Sequence, residues 1–313
     1  MTGGLRVRGF DGAALVPVGG QGPEDVLVDE QGRVYCGLAD GRIVRVAGPG
    51  GPVETVACTP GRPLGLEFLG PDELLVCASD AGLLAVSLAD GSVRTLVDRV
   101  EGRPLRAVNN AAVADDGSIY FTDSSMQYAV PQWRTDLVRG TRSGRLFRRA
   151  PDGTVTELLG GLAFANGVAL AADGSYVAVA ETGGCRLHRV WLTGDRAGCS
   201  EVFVEGLRGF PDNIARGSDD LIWVALPSTR TGSFRQVGRL PAGARVAISK
   251  MPDRLQPGPR NTVSVVAVDD AGQIVHEYRG RIPGLTMLTA VRERDGRLWF
   301  GSLDVECVAT LER

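Results

Sequence analysis

The chain contains 313 residues, of which 43% are hydrophobic and 23% are charged, so it is long enough to bury a large core. Its net charge of −3 leaves no basic stripe, which excludes nucleic acid as an expected partner. The 43 glycines and the 6% of aromatic residues favour many tight turns over long helices.

The predicted elements repeat one unit, which is a short apolar strand, an Asp-Gly type of turn and a second strand. Such dipeptides between short β-branched runs are the strongest local sign of a hairpin. In chain order, the predicted hairpin segments are residues 26–46, 65–97, 111–123, 144–158, 167–182, 213–226, 265–278 and 290–303.

Grouping these hairpins gives about six units of roughly 40–50 residues, which is the period of a β-propeller. We therefore predict an all-β fold, a six-bladed β-propeller with a central metal-binding channel, in which residues 1–313 form a single domain. Five or seven blades are the competing counts. The segment GAALVPV, residues 12–18, is predicted to supply the outer strand that closes the last blade.

Two segments interrupt the repeat. Residues 126–141 break the third blade, and residues 229–259, divided by Pro241, break the fifth with a spacing that supports one or two helical turns. Long insertions in compact folds are often lids or binding loops, and surface decoration is the alternative. Tyr128 and Trp133 of the first insertion are candidates to line an apolar pocket.

Polar residues stand directly before the predicted innermost strands of several blades. In a propeller these positions converge on the central channel, so their oxygens would form one shell. Carboxylate and amide oxygens suit Ca²⁺ and also accept Mg²⁺ or Mn²⁺, whereas Zn²⁺ is disfavoured because neither His nor Cys belongs to the set. Asn and Asp before strands are commonly turn residues, but their recurrence favours metal ligands. These residues are Glu24, Asp25, Asn109, Asn110, Asn166, Asp212 and Asn213.

Several motifs resemble those of the strictosidine synthase-like proteins, especially the adipocyte plasma membrane-associated protein type. They are GPEDV, GRPLGL, DGSIYFTDSS, SGRLFRR, FANGVALAADGSYVAVAET and GFPDNI, within a likeness that covers about residues 20–312. The wider superfamily includes gluconolactonases and paraoxonases, whose hydrolytic branches have a divalent metal in a six-bladed propeller. The resemblance implies a metal, most of all Ca²⁺, held by Glu24, Asn109, Asn166, Asp212 and Asn213. It also places Asp25 and Asn110 near a second, structural calcium, where Asn110 replaces an aspartate.

The chain also departs from its relatives. Thr289 stands where the strictosidine synthases carry their catalytic glutamate, and Leu64 stands where the paraoxonases carry a histidine. The two histidines, His188 and His276, lie within strand-like runs, and the sequence has no G-x-S-x-G motif. We therefore expect neither Pictet–Spengler condensation nor a Ser-His-Asp triad.

The expected activity is metal-dependent hydrolysis of a lactone or ester. By resemblance to the gluconolactonases, Asp212 is the candidate base. Asn109 and Thr289 are candidates for contact with the substrate. The alternative for Thr289 is a structural role in the pocket wall or strand. Arg62 is predicted to bind a substrate carboxylate or close the channel, with a surface position as the alternative. The other functions left open are a cyclase or condensing enzyme of secondary metabolism and a non-catalytic binding propeller.

The six cysteines lie far apart without a C-x-x-C pair, which favours free thiols over a disulfide framework. The start, MTGGLRVRGFDG, lacks the apolar core of a signal peptide, and no run approaches the ~20 apolar residues of a membrane span. We expect a soluble cytoplasmic protein, a monomer or small homo-oligomer, that acts on a small molecule.

Overall fold

The computed structural model describes residues 5, 7–230, 232–252, 255–260 and 262–313. Its strands form the six mainly antiparallel sheets of a six-bladed β-propeller, which confirms the predicted fold class and blade count. Two short strands come first in the chain. They are β1 (Val7–Arg8) and β2 (Ala14–Pro17).

The first three blades follow in chain order. Blade one contains β3 (Val26–Val28), β4 (Val34–Gly37), β5 (Arg42–Val46) and β6 (Val53–Cys58). Blade two contains β7 (Pro63–Gly70), β8 (Glu73–Ala78), β9 (Gly82–Ser87) and β10 (Val93–Val97). A small ribbon of β11 (Arg99–Val100) and β12 (Arg103–Pro104) leads onward. Blade three contains β13 (Val108–Val113), β14 (Ile119–Asp123), β15 (Gly144–Arg149) and β16 (Val155–Leu162).

The last three blades complete the ring. Blade four contains β17 (Ala165–Leu170), β18 (Tyr176–Glu181), β19 (Arg186–Trp191) and β20 (Ser200–Val204). Blade five contains β21 (Ile214–Arg216), β22 (Ile222–Leu226), β23 (Val263–Val268) and β24 (Ile274–Gly280). Blade six contains β25 (Leu288–Arg294), β26 (Arg297–Ser302) and β27 (Cys307–Glu312).

The core lies between blades rather than inside any one of them. In β8, Leu74 and Val76 pack toward blade one, while Leu75 and Cys77 pack toward blade three. This alternation follows from the two-residue period of a strand. The described residues form six such clusters, one for each pair of neighbouring blades, so every blade is stabilised by both neighbours.

The Asp-Gly pairs form the hairpin turns that the sequence predicts. In blade three, Asp116 Oδ1 accepts a hydrogen bond from the Ser118 N–H at 2.8 Å, and Gly117 has a φ of 80°. Among the residue types, glycine adopts this left-handed backbone conformation with the least steric strain. The aspartate therefore fixes the turn while the glycine allows the chain to reverse.

Strand β2 closes the ring by pairing antiparallel with β27, which confirms the predicted outer strand of the last blade. Its buried residue Val16 packs in the cluster between blades six and one, while Leu15 on the other face is 41% exposed. The pairing of β1 with β24, in parallel, was not predicted. The two residues of β1 are both exposed, so they lack the alternation of apolar and polar residues that would predict a strand.

Both insertions interrupt the predicted blades and contain short helices. Between β14 and β15 lies α1 (Trp133–Arg139), and between β22 and β23 lie α2 (Gly232–Gly238) and α3 (Ala242–Ser249). Pro241 directly precedes α3, as its position in the sequence predicts. The insertions contact each other, because Arg139 Nε donates to Ser249 Oγ at 2.8 Å. The second insertion is described apart from residues 231, 253 and 254.

All six cysteines have free thiols. Within the described part of the chain, no helix is long and apolar enough to span a membrane.

Candidate functional site

A cavity at the blade entrances has polar residues from the blades and apolar residues from both insertions. Its volume is about 90 Å³. The polar lining includes Glu24, Asn109, Asn166, Asp212 and Thr289. Five blades thus contribute to one site, which is the convergence that the sequence predicts.

The predicted ligand residues contact one another in pairs. Asn213 Nδ2 donates to both carboxylate oxygens of Glu24, at 3.2 Å each. Asn166 Nδ2 donates to Asp212 Oδ1 at 2.6 Å. In each pair, an amide hydrogen is directed at a carboxylate, so the amide oxygen is left available.

Asn109 and Asn166 lie inside strands rather than ahead of them, which corrects the predicted position. Asn109 belongs to β13 and Asn166 to β17, and each lies where the register with the next strand shifts. A bulge of this kind leaves a residue unpaired and redirects its side chain. The irregularity explains how a poor strand former is accommodated and turned into the channel.

Three amide oxygens at this site are buried without a hydrogen-bond partner among the described residues. They are Asn109 Oδ1, Asn166 Oδ1 and Asn213 Oδ1. Leaving a buried acceptor unpaired costs about 1–3 kcal/mol, so three together call for a common partner. Because all three atoms are acceptors, a partner that they share must be a hydrogen-bond donor or a cation.

The electrostatics of the site also favour a cation. Burial raises the pKa of Glu24 well above its ordinary value, and the negative charge of Asp212 raises it further. Burial likewise raises the pKa of Asp212, to about 7, although its side chain stays partly exposed toward the cavity. The hydrogen bond from Asn166 lowers that pKa and only partly offsets the burial. A bound cation would lower both pKa values, because an opposite charge nearby favours the ionised form of each carboxylate.

These residues fit a hard divalent cation. The set offers two carboxylates and three amide oxygens, the ligand types that Ca²⁺ takes in proteins. No group of three or more His, Cys, Asp or Glu residues is found in the described part of the chain that could hold a metal. The fit therefore depends on the asparagine oxygens.

The residues that resembled a second calcium site have protein partners instead. Asp25 accepts hydrogen bonds from the backbone N–H groups of Val26 at 2.8 Å and Leu66 at 3.0 Å. The Arg292 guanidinium lies 3.5 Å from Asp25 and supplies a positive charge there. Asn110 Oδ1 accepts from the Val168 N–H at 2.9 Å, joining blade three to blade four.

Thr289 supports the site from blade six. Its Oγ1 donates to the carbonyl oxygen of Glu24 at 2.7 Å, and its own carbonyl accepts the Asn213 N–H at 3.0 Å. Thr289 therefore fixes the backbone of two predicted ligands, while its side chain also lines the cavity. Leu64 lines the cavity too and is buried.

Two predicted substrate contacts do not line the cavity. Arg62 donates to the carbonyl oxygens of Gly22 at 3.2 Å and Leu303 at 3.4 Å, although its charge still lowers the pKa of Glu24. Tyr128 accepts a hydrogen bond from Arg139, whose guanidinium lies over its ring. Both side chains are hydrogen-bonded to other residues of the protein and do not line the cavity.

Trp133, the second residue of the first insertion that was predicted to line a pocket, does line the cavity. Arg134 lines it beside the Trp133 ring.

The two histidines lie in strands, His188 in β19 and His276 in β24, and neither lines this cavity. His188 Nε2 lies 2.8 Å from Glu181, so it serves the packing of blade four.

Two glycines that the sequence reasoning missed set the spacing between blades at the site. A Cβ on Gly167 would lie 2.2 Å from the Ile214 nitrogen and 2.7 Å from Asn213 Cα. A Cβ on Gly301 would lie 2.7 Å from the Glu24 carbonyl oxygen. Only glycine allows this approach at either position. For Gly167, its place directly after Asn166 was the available signal, and Gly301 has no comparable signal.

Phe164 was also missed, although it stands in the same motif. It lines the cavity with a φ of 67°, a conformation that is strained for a bulky residue. Met287 lines the cavity with a φ of 45°. Both residues come just before an innermost strand, so the entrances of blades four and six are held in strained turns.

Comparison with known proteins identifies relatives along most of the chain. A family model described as strictosidine synthase matches residues 109–195, and one described as strictosidine synthase-like, N-terminal matches residues 10–46. Protein STRICTOSIDINE SYNTHASE-LIKE 10 of Arabidopsis thaliana is 33% identical, over 94% of this chain and 86% of that protein. Protein STRICTOSIDINE SYNTHASE-LIKE 3 of the same plant is 31% identical, over 93% and 82%.

Solved structures share the fold at low identity. A gluconolactonase from Xanthomonas campestris superposes with a TM-score of 0.68 and 17% identity, over 97% of this chain and 90% of that one. The calcium-binding protein regucalcin from Agrobacterium tumefaciens gives a TM-score of 0.65 at 17% identity, over 97% and 94%. Likeness at this level establishes a common fold.

Proposed function

This chain belongs to the strictosidine synthase-like family, and from that premise we propose that it is a metal-dependent hydrolase of lactones or esters. Proteins that share its fold include a gluconolactonase and a calcium-binding protein. The observation that supports the proposal most is the unpaired amide oxygens of Asn109 and Asn166, which line one cavity with the carboxylates of Glu24 and Asp212, together with that of Asn213, which is hydrogen-bonded to Glu24.

Glu24, Asn109, Asn166, Asp212 and Asn213 would hold the cation, with Ca²⁺ the best match and Mg²⁺ or Mn²⁺ the alternatives. When bound, such an ion polarises a carbonyl group and lowers the pKa of a water molecule. Asn109 lines the same cavity as the two carboxylates and is the residue we expect to contact the substrate as well.

Asp212 is the proposed general base. Its Oδ1 is held by Asn166, which leaves Oδ2 to accept a proton from the attacking water. The water oxygen bonds to the carbonyl carbon, and the bond from that carbon to the alkoxy oxygen breaks. The proton on Asp212 then passes to the leaving alkoxy oxygen. A lactone yields one hydroxy acid, and an ester yields an acid and an alcohol.

The two insertions are proposed to act as a lid. Trp133 of the first and Phe234 of the second line the cavity that contains the carboxylates. Their apolar side chains would exclude bulk water around the reacting carbonyl and so strengthen the electrostatic interactions within the site. The hydrogen bond from Arg139 to Ser249 would hold the two insertions together.

Metal analysis and a chelator experiment test the proposal together. We expect one divalent ion per chain in metal-supplemented protein, measured by elemental analysis and located by anomalous scattering. Hydrolysis of a panel of lactones and aryl esters should fall after chelation and return on adding Ca²⁺. Turnover that is unchanged in fully stripped protein, or a channel that binds no ion, would contradict the proposal.

A cyclase or condensing enzyme is the second candidate, and the sequence relatives favour it. Thr289 argues against the chemistry of the strictosidine synthases, which carry a catalytic glutamate at this position. Its hydroxyl donates to the backbone carbonyl of Glu24 and cannot act as an acid or base near neutral pH. We expect no condensation of tryptamine with secologanin. Product formation in that assay would favour the second candidate.

A further inference from the structure

The hydroxyl groups around the cavity are already used inside the protein. Thr182 Oγ1 donates to the Pro211 carbonyl at 2.7 Å, and Thr289 Oγ1 donates to the Glu24 carbonyl at 2.7 Å. Ser228 Oγ donates to the Thr229 carbonyl at 3.3 Å. These three are the hydroxyl-bearing residues among the described lining. None has its hydrogen free for a ligand.

Apart from the charged side chain of Arg134 in α1, the rest of the described wall is mainly apolar, and much of it is aromatic. Phe210 at the entrance of blade five contacts Phe234 of α2 edge to face, with ring centroids 4.8 Å apart. Trp133 and Leu137 of α1 come from the other insertion, and Leu64 from blade two. The polar oxygens are concentrated at the blade entrances, and they accept hydrogen bonds rather than donate them.

We propose that the cavity takes a lactone or ester whose body is a hydrocarbon chain or an aryl group, rather than a hydroxylated sugar lactone. This inference rests on the proposed hydrolase function for the reacting carbonyl. Each sugar hydroxyl would lose its water partners on entry and find few replacements along this wall. A hydrocarbon chain would instead gain about fourfold in binding for each methylene that leaves water.

Three six-membered lactones separate the two substrate classes. They are δ-valerolactone, which has no substituent, δ-dodecanolactone, which carries a seven-carbon tail, and δ-gluconolactone, which carries hydroxyl groups. We expect kcat/KM for the tailed lactone to exceed that for δ-valerolactone by about tenfold or more. The value for δ-gluconolactone should be the lowest. Equal or faster turnover of δ-gluconolactone would overturn the inference and leave the hydrolase proposal standing.

A pair of variants in the second insertion tests whether the preference for a tailed lactone depends on the cavity wall. Phe234→Ala removes a ring that lines the cavity, and Leu240→Ala shortens an exposed side chain between α2 and α3. The ratio of kcat/KM for the tailed and unsubstituted lactones should fall about tenfold in Phe234→Ala and stay unchanged in Leu240→Ala. An unchanged ratio in Phe234→Ala, with the fold intact by circular dichroism, would count against the inference.

A binding measurement keeps the two proposals apart. A cyclohexanone with the same seven-carbon tail has a carbonyl but no ester bond, and calorimetry can compare it with cyclohexanone itself. If no lactone is turned over but the tailed ketone binds at least tenfold more tightly, the hydrolase proposal fails and the apolar ligand class stands. If the tail brings no gain in affinity, the ligand class is wrong whatever the turnover.

Discussion

Asp212 is the residue on which the proposed chemistry depends. Asp212→Asn keeps the size of the side chain but removes the base and one carboxylate ligand. We expect kcat to fall at least about a hundredfold on the best lactone found, with the unfolding midpoint nearly unchanged. Steady-state kinetics and thermal unfolding measure the two effects.

Thr289→Val is the matched comparison for that variant. It removes the hydrogen bond to the Glu24 carbonyl but leaves both carboxylates in place. We expect a far smaller loss of activity than in Asp212→Asn. A larger loss at Thr289 would move the chemistry to blade six and favour the cyclase alternative.

Gly167 shows how closely the site depends on backbone contact. A methyl group there would meet the backbone of Asn213 and Ile214, which cannot move aside as a side chain can. Gly167→Ala should therefore lower the free energy of unfolding by about 2 kcal/mol and weaken Ca²⁺ binding. Gly70→Ala is the control, because a Cβ at Gly70 meets nothing within 4 Å. Urea unfolding and calorimetry with Ca²⁺ measure both outcomes, and equal behaviour of the two variants would contradict the argument.

The polar members of the site could be predicted from the sequence because side chains with a carboxylate or amide oxygen recur at one place in blades one, three, four and five. Glu24, Asn109, Asn166 and Asp212 all line the same cavity. Arg62 could not be placed in this way. Its long side chain has several carbonyl groups within reach, and the choice among them depends on the packing of blades that are distant in sequence.

At the scale of elements, the β18–β19 hairpin contains a buried ionic cluster. Burial alone would raise the pKa of Glu181, but hydrogen bonds from His188, Arg186 and the Ala163 N–H outweigh it and lower the pKa to about 2. A depressed carboxylate pKa stabilises the folded state above the unfolded value of about 4.5, and that contribution is lost as the pH falls from about 4.5 to 2.

Glu181→Gln should therefore cost about 2 kcal/mol of unfolding free energy at pH 7 and much less near pH 2.5. Urea unfolding of both proteins at several pH values gives the difference directly. The exposed substitution Glu205→Gln should show no comparable dependence. A difference that stays constant down to pH 2.5 would contradict the assigned role of Glu181.

The helices of the insertions were harder to predict than the strands. Pro241 indicated a division of the second insertion, but the segments are too short for a clear amphipathic period. What holds them is contact with each other and with the cavity wall, as between Phe210 and Phe234. Such contacts join residues far apart in the chain, so no local pattern encodes them.

At the scale of the whole molecule, closure of the ring should be a measurable part of stability. Val16 and Leu15 are neighbours in β2, but Val16 is 1% exposed and Leu15 is 41% exposed. Val16→Ala should lower the free energy of unfolding by about 2 kcal/mol, and Leu15→Ala by less than about 1 kcal/mol. Chemical unfolding of both variants tests this, and equal losses would mean that β2 adds little to closure.

The pairing of β2 with β27 has a consequence for how the protein is made. The ribosome synthesises β2 before any other strand of blade six, and its partner is among the last strands to appear. Until then, Val16 and Val18 lack the neighbours from blade six that bury them, and β2 presents an unpaired edge. Blades one to five can fold in turn as they emerge, whereas blade six cannot form until β2 and β27 are both available to pair. The slowest step of folding, and the period of greatest exposure to aggregation or chaperones, should therefore come after β27 has been synthesised.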